Sequence, residues 1–236
     1  MSFKQLEFKE LENRENIFKK EYFSYKIDEL YREYQNLYYK TIFENHSFEI
    51  EKNSSVVVPL TIDISEKNYS FFGDPIEFFY SKKINKIDYE IIKKKFNNSK
   101  HKTLFKFEIK NEKLFVINKF DFINKIVNEI YIDLSLSIED IKSNFSSNHR
   151  NEISKNYSNT VFKIIDYKNY KPNMIFEMMD LHKKVSGRQT RSKESWMQNE
   201  KMILEKKGFL TRVELNEKVI SYSFFYHNKY TCIYLS

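Results

Sequence analysis

The stretch from Gly208 to Leu235, GFLTRVELNEKVISYSFFYHNKYTCIYL, decides the fold of the C-terminal part of this chain. It contains three runs rich in β-branched and aromatic residues, 209–214, 219–226 and 230–235, joined by short polar connections. Short connections join strands that run in opposite directions, whereas parallel strands need a long crossover. The sequence therefore predicts a three-stranded antiparallel meander.

Two helices are predicted directly before the meander. Apolar residues recur at helical spacing from Met174 to Val185, and Gly187 follows as a stop signal. The second helix is predicted from Lys193 to Lys207, with its last lysines facing the negative end of the helix dipole and Gly208 as the left-handed residue that ends it. The predicted C-terminal order is helix, helix and meander.

The earlier part of the chain carries both helical and strand patterns. Residues 3–45 predict helix, most clearly from Ile27 onward, and strand-like runs follow from Ser55. A capping-box pattern at Ser137 predicts the start of another helix, and 161–165 is typical of a strand. The predicted fold class is therefore α+β, with mixed sheets and flanking helices.

Element order alone places a domain boundary, because no repeat, low-complexity tract or Pro/Gly-rich linker divides the chain. We predict one domain at 1–167, formed by the N-terminal helix and a first unit, and the beginning of a second unit at 168–236.

The chain is basic, and its composition is biased. Its 40 basic and 33 acidic residues give a net charge of +7, which favours a polyanionic partner such as nucleic acid or a nucleotide. Alanine is absent, however, and Lys, Asn, Ile, Phe and Tyr abound, as AT-rich codons would produce. Arginine is the more informative cation, because its planar guanidinium can hold phosphate or carboxylate with two hydrogen bonds. Three arginines lie close together near the C-terminus: Arg188, Arg191 and Arg212.

The residue inventory excludes several kinds of site. The three glycines, Gly73, Gly187 and Gly208, are too far apart to form a phosphate-binding glycine loop. The histidines are scattered and Cys232 is the only cysteine, so the sequence lacks a zinc-ligand pattern. We therefore predict no metal site.

The sequence also predicts a cellular location. A single cysteine cannot form an intramolecular disulfide, and the charged, aromatic N-terminus does not resemble a signal peptide. No apolar run approaches the roughly 20 residues that cross a bilayer. We predict a cytoplasmic chain without a transmembrane segment.

The densest group of polar residues that could form a site is segment 182–196, HKKVSGRQTRSKESW. Its two arginines, Arg188 and Arg191, are candidates for anion binding, with surface ion pairing as the alternative. His182 could act as an acid or base or be structural, and Trp196 could stack on a ligand or fill the core. Arg150 could face the same cleft or only solvate a helix.

This segment resembles a pattern near the start of the second acyltransferase unit of FemAB-like proteins, a branch of the GNAT acyltransferases. The pattern is a His, then Gly-Arg, Thr-Arg and Ser-Trp, then a Gln, which is Gln198 here. Residues 71–75, FFGDP, are similar to a strand-to-turn element of the first unit. Residues 133–135, DLS, followed by 148–153, NHRNEI, are similar to the region that joins the units. The order and spacing of these motifs agree over most of the chain.

The resemblance implies one GNAT-like unit and the first part of a second. It implies a transferase that moves an acyl or aminoacyl group from acyl-CoA or aminoacyl-tRNA to an amine. The acceptor would be an amino sugar, a cell-wall or peptide precursor, or another small or nucleotide-linked amine. The donor's pantetheine would lie beside the fourth strand, which corresponds to 230–235. The substrate-binding residues would be Arg188, Arg191, His182, Trp196 and Arg150, and the catalytic and cofactor-binding residues stay unassigned.

The family continues beyond the position of Ser236 with a further helix and strands. The resemblance therefore predicts a truncated member that is inactive without the rest of its donor site. Two alternatives stay open. One is a noncatalytic basic module that uses Arg188 and Arg191 to bind RNA, including tRNA, or another anionic partner. The other is self-association through the edge of the last strand, because an unpaired apolar edge can pair with another chain.

Overall fold

The computed structural model describes residues 28–40, 94, 132–155, 159–229 and 231–236, and elsewhere only short strand segments between residues 3 and 106. Its N-terminal elements are β1 Phe3–Gln5, α1 Glu29–Tyr39, β2 Phe48–Ile50, β3 Val56–Val57, β4 Thr61–Asp63, β5 Asn68–Ser70, β6 Ile76–Glu77, β7 Phe79–Tyr80, β8 Lys102–Thr103 and β9 Phe105–Lys106. The remaining elements are α2 Ile138–Ser143, α3 Ser147–Ser154, β10 Thr160–Ile165, α4 Asn173–Ser186, α5 Lys193–Leu204, β11 Gly208–Leu215, β12 Lys218–His227 and β13 Cys232–Tyr234. These helices and strands confirm the predicted α+β class.

A four-stranded antiparallel sheet organises the C-terminal part, in the order β10-β11-β12-β13. The predicted meander is confirmed, and a two-residue turn with positive φ at Asn216 (49°) and Glu217 (64°) joins its first two strands, as a type I′ hairpin requires. Strand β10 lies on the N-terminal side of the boundary predicted at residue 168, so this sheet draws on both sides of it. Among the N-terminal segments, the sheet β4-β5-β8 is mixed, with one antiparallel and one parallel pair.

Helices α4 and α5 cover one face of this sheet. Side chains alternate along β12, where Tyr222, Phe224 and Tyr226 point into the core and the intervening residues point away. The core also contains Ile165 and Leu210 from the sheet and, from the helices, Ile175, Met178, Trp196, Met202 and Ile203. The opposite face carries Phe209 stacked on Phe225, with ring centroids 5.1 Å apart.

The ends of the two helices test the predicted stop signals. Gly187 ends α4 with φ of 70°, as predicted. The prediction that Gly208 ends α5 is wrong: Lys206 is the left-handed residue, with φ of 60°. The amide of Lys207 donates to the carbonyl of Met202 at 2.8 Å, and that of Lys206 to Ile203 at 3.0 Å, which is a Schellman motif. Gly208 instead begins β11 opposite Tyr226.

The long N-terminal helix predicted over 3–45 is correct for α1 and wrong for β1. Asp28 caps α1 by accepting a hydrogen bond from the Leu30 amide at 3.0 Å, and Lys40 ends it with φ of 56°. Residues 3–5 pair with 48–50 in an antiparallel ladder, so strand pairing overrides the helical pattern there.

The helix predicted at Ser137 is confirmed. The Ser137 hydroxyl accepts a hydrogen bond from the Asp140 amide at 3.1 Å at the start of α2. The motif at 71–75 that contributes to the family resemblance lies outside the described residues. None of the helices that the structure describes is long and apolar enough to span a lipid bilayer.

Candidate functional site

The connection between α4 and α5 borders an open cleft of about 220 Å³. The Ser186 hydroxyl lies within hydrogen-bond distance of two carbonyl oxygens, that of His182 at 2.7 Å and that of Arg188 at 2.6 Å, so its one proton links the connection to the end of α4. Ser192 caps α5 by accepting a hydrogen bond from the Ser195 amide at 3.2 Å. The residues that line the cleft are Met179, Asp180, His182, Lys183, Gln189, Thr190, Lys193 and Trp196.

Trp196 is both a core residue and the floor of this cleft. It is only 2% exposed, and the His182 ring stands edge-on to the indole with centroids 5.3 Å apart. The two roles considered for Trp196, core packing and ligand contact, are compatible, because one side of the indole lines the cleft while the side chain fills the core.

His182 forms a wall of the cleft. Burial lowers the pKa of His182 below its usual value, and the nearby positive charge of Arg191 lowers it further. The Nδ1 atom lies 3.4 Å from the hydroxyl of Thr190. The imidazole is therefore neutral at pH 7 and can accept a proton.

Arg191 lies behind Trp196 and is already engaged by the protein. Its guanidinium carbon is 4.2 Å from the centroid of the Trp196 ring and 5.1 Å from that of Tyr38. Its Nη1 donates to the Tyr34 hydroxyl at 3.0 Å. Burial raises the pKa of Tyr34 to about 12, so this hydroxyl stays neutral. Arg191, a candidate for anion binding from the sequence, thus links Trp196 on α5 to two tyrosines on α1.

Arg188 differs from Arg191, although only three positions separate them. It is exposed, and its side chain makes no hydrogen bond, ion pair or ring contact with the residues that the structure describes. It directly precedes Gln189 and Thr190, which line the cleft. Of the two arginines in this segment, Arg188 is the one that has a guanidinium available for a ligand.

The other two arginines considered from the sequence lie apart from this arrangement. Arg150, on α3, donates to the backbone carbonyls of Ser143, at 3.0 Å, and of Phe145, so it closes the C-terminal end of α2. Arg212, on β11, pairs with Glu214 at 2.5 Å, and Lys163 contacts the same carboxylate at 3.1 Å. Neither guanidinium contacts the cleft.

Four residues at or beside the site were not singled out in the sequence, and two of them come from a distant helix. Tyr34 and Tyr38 lie on α1, where the sequence predicted a helix but not the part of the chain that it packs against. Asp180 lies just before segment 182–196 and Lys193 lies within it, and both line the cleft although the sequence pattern assigned neither side chain a role. Within the described part of the chain, no group of three or more His, Cys, Asp or Glu side chains converges as metal ligands would.

Comparisons with models of protein families, with curated proteins and with solved structures find no match to this chain.

Proposed function

We propose that this chain is acyltransferase-like and moves an acyl or aminoacyl group from acyl-CoA or aminoacyl-tRNA to an amine acceptor. The observation that carries the proposal is the order β10, α4, α5, β11, β12, β13 within one antiparallel sheet. This order agrees with the start of an acyltransferase unit, as the resemblance to FemAB-like proteins implies. The fourth strand of such a unit, beside which the donor's pantetheine would lie, corresponds to β13.

The cleft supports an acceptor that carries both an amine and an anionic group. Asp180 offers a carboxylate to an ammonium group, while Lys183 and Lys193 offer positive charge to a phosphate or carboxylate. Arg188 adds an exposed guanidinium on the adjoining connection. A nucleotide-linked amine, or an amino sugar that bears a phosphate or carboxylate, matches both requirements.

His182 is the proton acceptor that we assign to this reaction. It takes one proton from the acceptor's ammonium group, and the free amine nitrogen attacks the carbonyl carbon of the thioester. The C–N bond forms, the C–S bond breaks, and a second proton passes from the nitrogen to the departing thiolate. The imidazolium then returns its proton to solvent. The lowered pKa of His182 supports this role, because only the neutral ring can act as a base.

Thiol release tests the enzymatic proposal. The protein, purified as the whole product of its reading frame so that every part of the donor site is present, is mixed with a series of acyl-CoA donors and a panel of phosphorylated and unphosphorylated amines. Transfer from labelled aminoacyl-tRNA to the same amines is measured in parallel. We expect amine-dependent thiol release that falls about 100-fold in His182→Gln, since a positioned base contributes roughly that factor or more. The control is His227→Gln, because the His227 ring packs beside Phe209 at 5.9 Å and is not part of the cleft lining. Absence of transfer from every acyl-CoA and from aminoacyl-tRNA would contradict the proposal.

A second candidate function is a noncatalytic module that binds RNA through the α4–α5 connection. The observation in its favour is a group of exposed cations, Lys183, Lys184 and Arg188, that make no hydrogen bond, ion pair or ring contact with described residues. Unpaired cations can displace the counterions of a phosphate backbone without first breaking a bond within the protein.

Salt dependence distinguishes this module from the enzyme. Binding of a single-stranded oligouridine and of uncharged tRNA is measured over a series of salt concentrations. We expect Arg188→Ala to reduce the slope of log K against log salt by about 1, as the loss of one phosphate contact would. The matched control is Arg150→Ala, because the Arg150 guanidinium is already bonded to backbone carbonyls. An unchanged slope in Arg188→Ala would remove this surface as the RNA site.

A further inference from the structure

Arg191 is partly buried, with two aromatic rings close to its guanidinium and one of its nitrogens in a hydrogen bond. Its guanidinium carbon lies 4.2 Å from the centroid of the Trp196 ring and 5.1 Å from the centroid of the Tyr38 ring. Nη1 donates to the Tyr34 hydroxyl, while Nε is buried without a hydrogen-bond partner in the described part of the chain. An arginine held in this way has little capacity left for an external ligand, because moving it would break all three contacts.

We infer that Arg191 is a positioning residue, which fixes Trp196 and His182 as the floor and wall of the cleft and makes the shape of the cleft depend on the docking of α1. The inference relies on the proposed function only in treating the cleft as a substrate site. The contacts themselves concern α1, α5 and the α4–α5 connection, whatever reaction the cleft serves.

Helix α1 is well placed to transmit such a dependence, because polar contacts hold it along α5. Glu33 accepts hydrogen bonds from Lys201 and from Gln198, both at 2.8 Å, and Gln198 also reaches the Leu30 carbonyl at 3.2 Å. Asp28 pairs with Lys207 beyond the end of α5. Most of these charged groups are partly exposed, so each ion pair contributes little to the stability of the interface. The hydrogen bond between Arg191 and the buried Tyr34 holds the other end of α1 against α5.

Arg191 also acts on the cleft through its charge, because it lies close enough to His182 to change the pKa of that side chain. Its own helix supplies Asp180 and Lys183, the start of α5 supplies Lys193, and the connection supplies Arg191 behind the indole. Of these charges, that of Arg191 lowers the pKa of His182, in addition to the larger effect of burial. Loss of Arg191 removes a repulsion of the imidazolium, so the pKa must rise.

Trp196 is the only tryptophan, and its fluorescence therefore reports on this site alone when excitation avoids tyrosine. A protonated imidazole in contact with an indole quenches its emission, so a pH titration follows His182 at 5.3 Å from the ring. His182→Gln should abolish the transition and thereby assign it. In the unsubstituted protein we expect the midpoint below the ordinary histidine value of about 6.5.

The decisive comparison is Arg191→Met against Arg188→Met. In Arg191→Met we expect the midpoint to move to higher pH, the emission to shift to the red, and amide exchange within α1 to become roughly 10-fold faster as the helix loses an anchor. Arg188→Met should change none of these. Arg191→Lys keeps the charge but not the planar group, and should restore the midpoint without restoring the emission wavelength.

Tyr34→Phe keeps the experiment informative if Arg191→Met does not fold. It removes one hydroxyl from a conservative site, and α1 exchange should still accelerate while the titration midpoint stays nearly unchanged. Unaltered emission and exchange in both variants, or equal changes in Arg188→Met, would overturn the inference. No measurement here requires a donor or acceptor, so failure of acyl transfer leaves this result standing, and failure of this result leaves acyl transfer open.

Discussion

Replacing Trp196 by alanine is expected to lower the free energy of unfolding by about 3–5 kcal/mol, the usual cost of removing a buried tryptophan or phenylalanine side chain. The indole is 2% exposed and packs in the same core as Met202 and Ile203. Since domains of this kind are stable by about 5–15 kcal/mol, the variant should be marginally stable.

The loss of unfolding free energy in Trp196→Ala should exceed the cost of the cavity alone, because the indole also packs against the charged guanidinium of Arg191. Without the ring, the partly buried Arg191 guanidinium keeps Tyr34 and Tyr38 but loses the nearer of its two aromatic contacts. His182 loses its edge contact at the same time. The cleft should disappear together with the packing.

Urea unfolding followed by far-ultraviolet circular dichroism measures this effect without relying on tryptophan emission. The matched control is Trp196→Phe, which retains an aromatic face for Arg191 and much of the buried area, and we expect it to cost about 1–3 kcal/mol. If alanine costs less than phenylalanine, or less than about 1 kcal/mol, the indole does not hold the core and the cleft together as the structure indicates.

The elements that the sequence predicted correctly are those encoded by neighbouring residues. Helix α4, its stop at Gly187 and the β11–β12–β13 meander depend on periodicity, one glycine and short turns. The pairing of β10 with β11 was not predictable, because contacts such as Lys163 with Glu214 join positions 51 residues apart. The end of α5 was misplaced because Gly208 has the best local preference for a left-handed end, yet the fold uses Lys206 there.

In the candidate site too, contacts within one segment could be predicted from the sequence, whereas contacts with a distant helix could not. His182, Arg191 and Trp196 lie within one segment, and the contact between α4 and α5 brings them together. The sequence could not show that the Arg191 guanidinium would donate a hydrogen bond to the Tyr34 hydroxyl, because the two residues are 157 positions apart. Residue type alone made Arg188 and Arg191 equivalent candidates, and only tertiary contacts separate an available guanidinium from an enclosed one.

Gly208→Ala is expected to lower the free energy of unfolding by about 1–3 kcal/mol, because the added methyl group overpacks the core. A Cβ atom at this position would lie 2.8 Å from two atoms of the Phe224 ring and 3.3 Å from the carbonyl oxygen of Phe225. Phe224 is fully buried, at 0% exposure, so its ring can move only by displacing its neighbours. A glycine-to-alanine change at an unstrained position would instead stabilise by about 0.4–1 kcal/mol, so the sign of the effect tests the close approach directly.

Two further variants separate overpacking from backbone strain. Gly187→Ala has no atom within 4 Å of its new Cβ but sits at φ of 70°, so we expect a loss of about 1–2 kcal/mol from the left-handed backbone alone. Adding Phe224→Leu should relieve the clash in Gly208→Ala and give a favourable coupling of about 1 kcal/mol or more in a double-mutant cycle. Combining Gly187→Ala with Phe224→Leu should instead give a loss of unfolding free energy equal to the sum of the two single losses. Stabilisation by Gly208→Ala, or additivity with Phe224→Leu, would mean that the Phe224 ring does not pack closely on the start of β11.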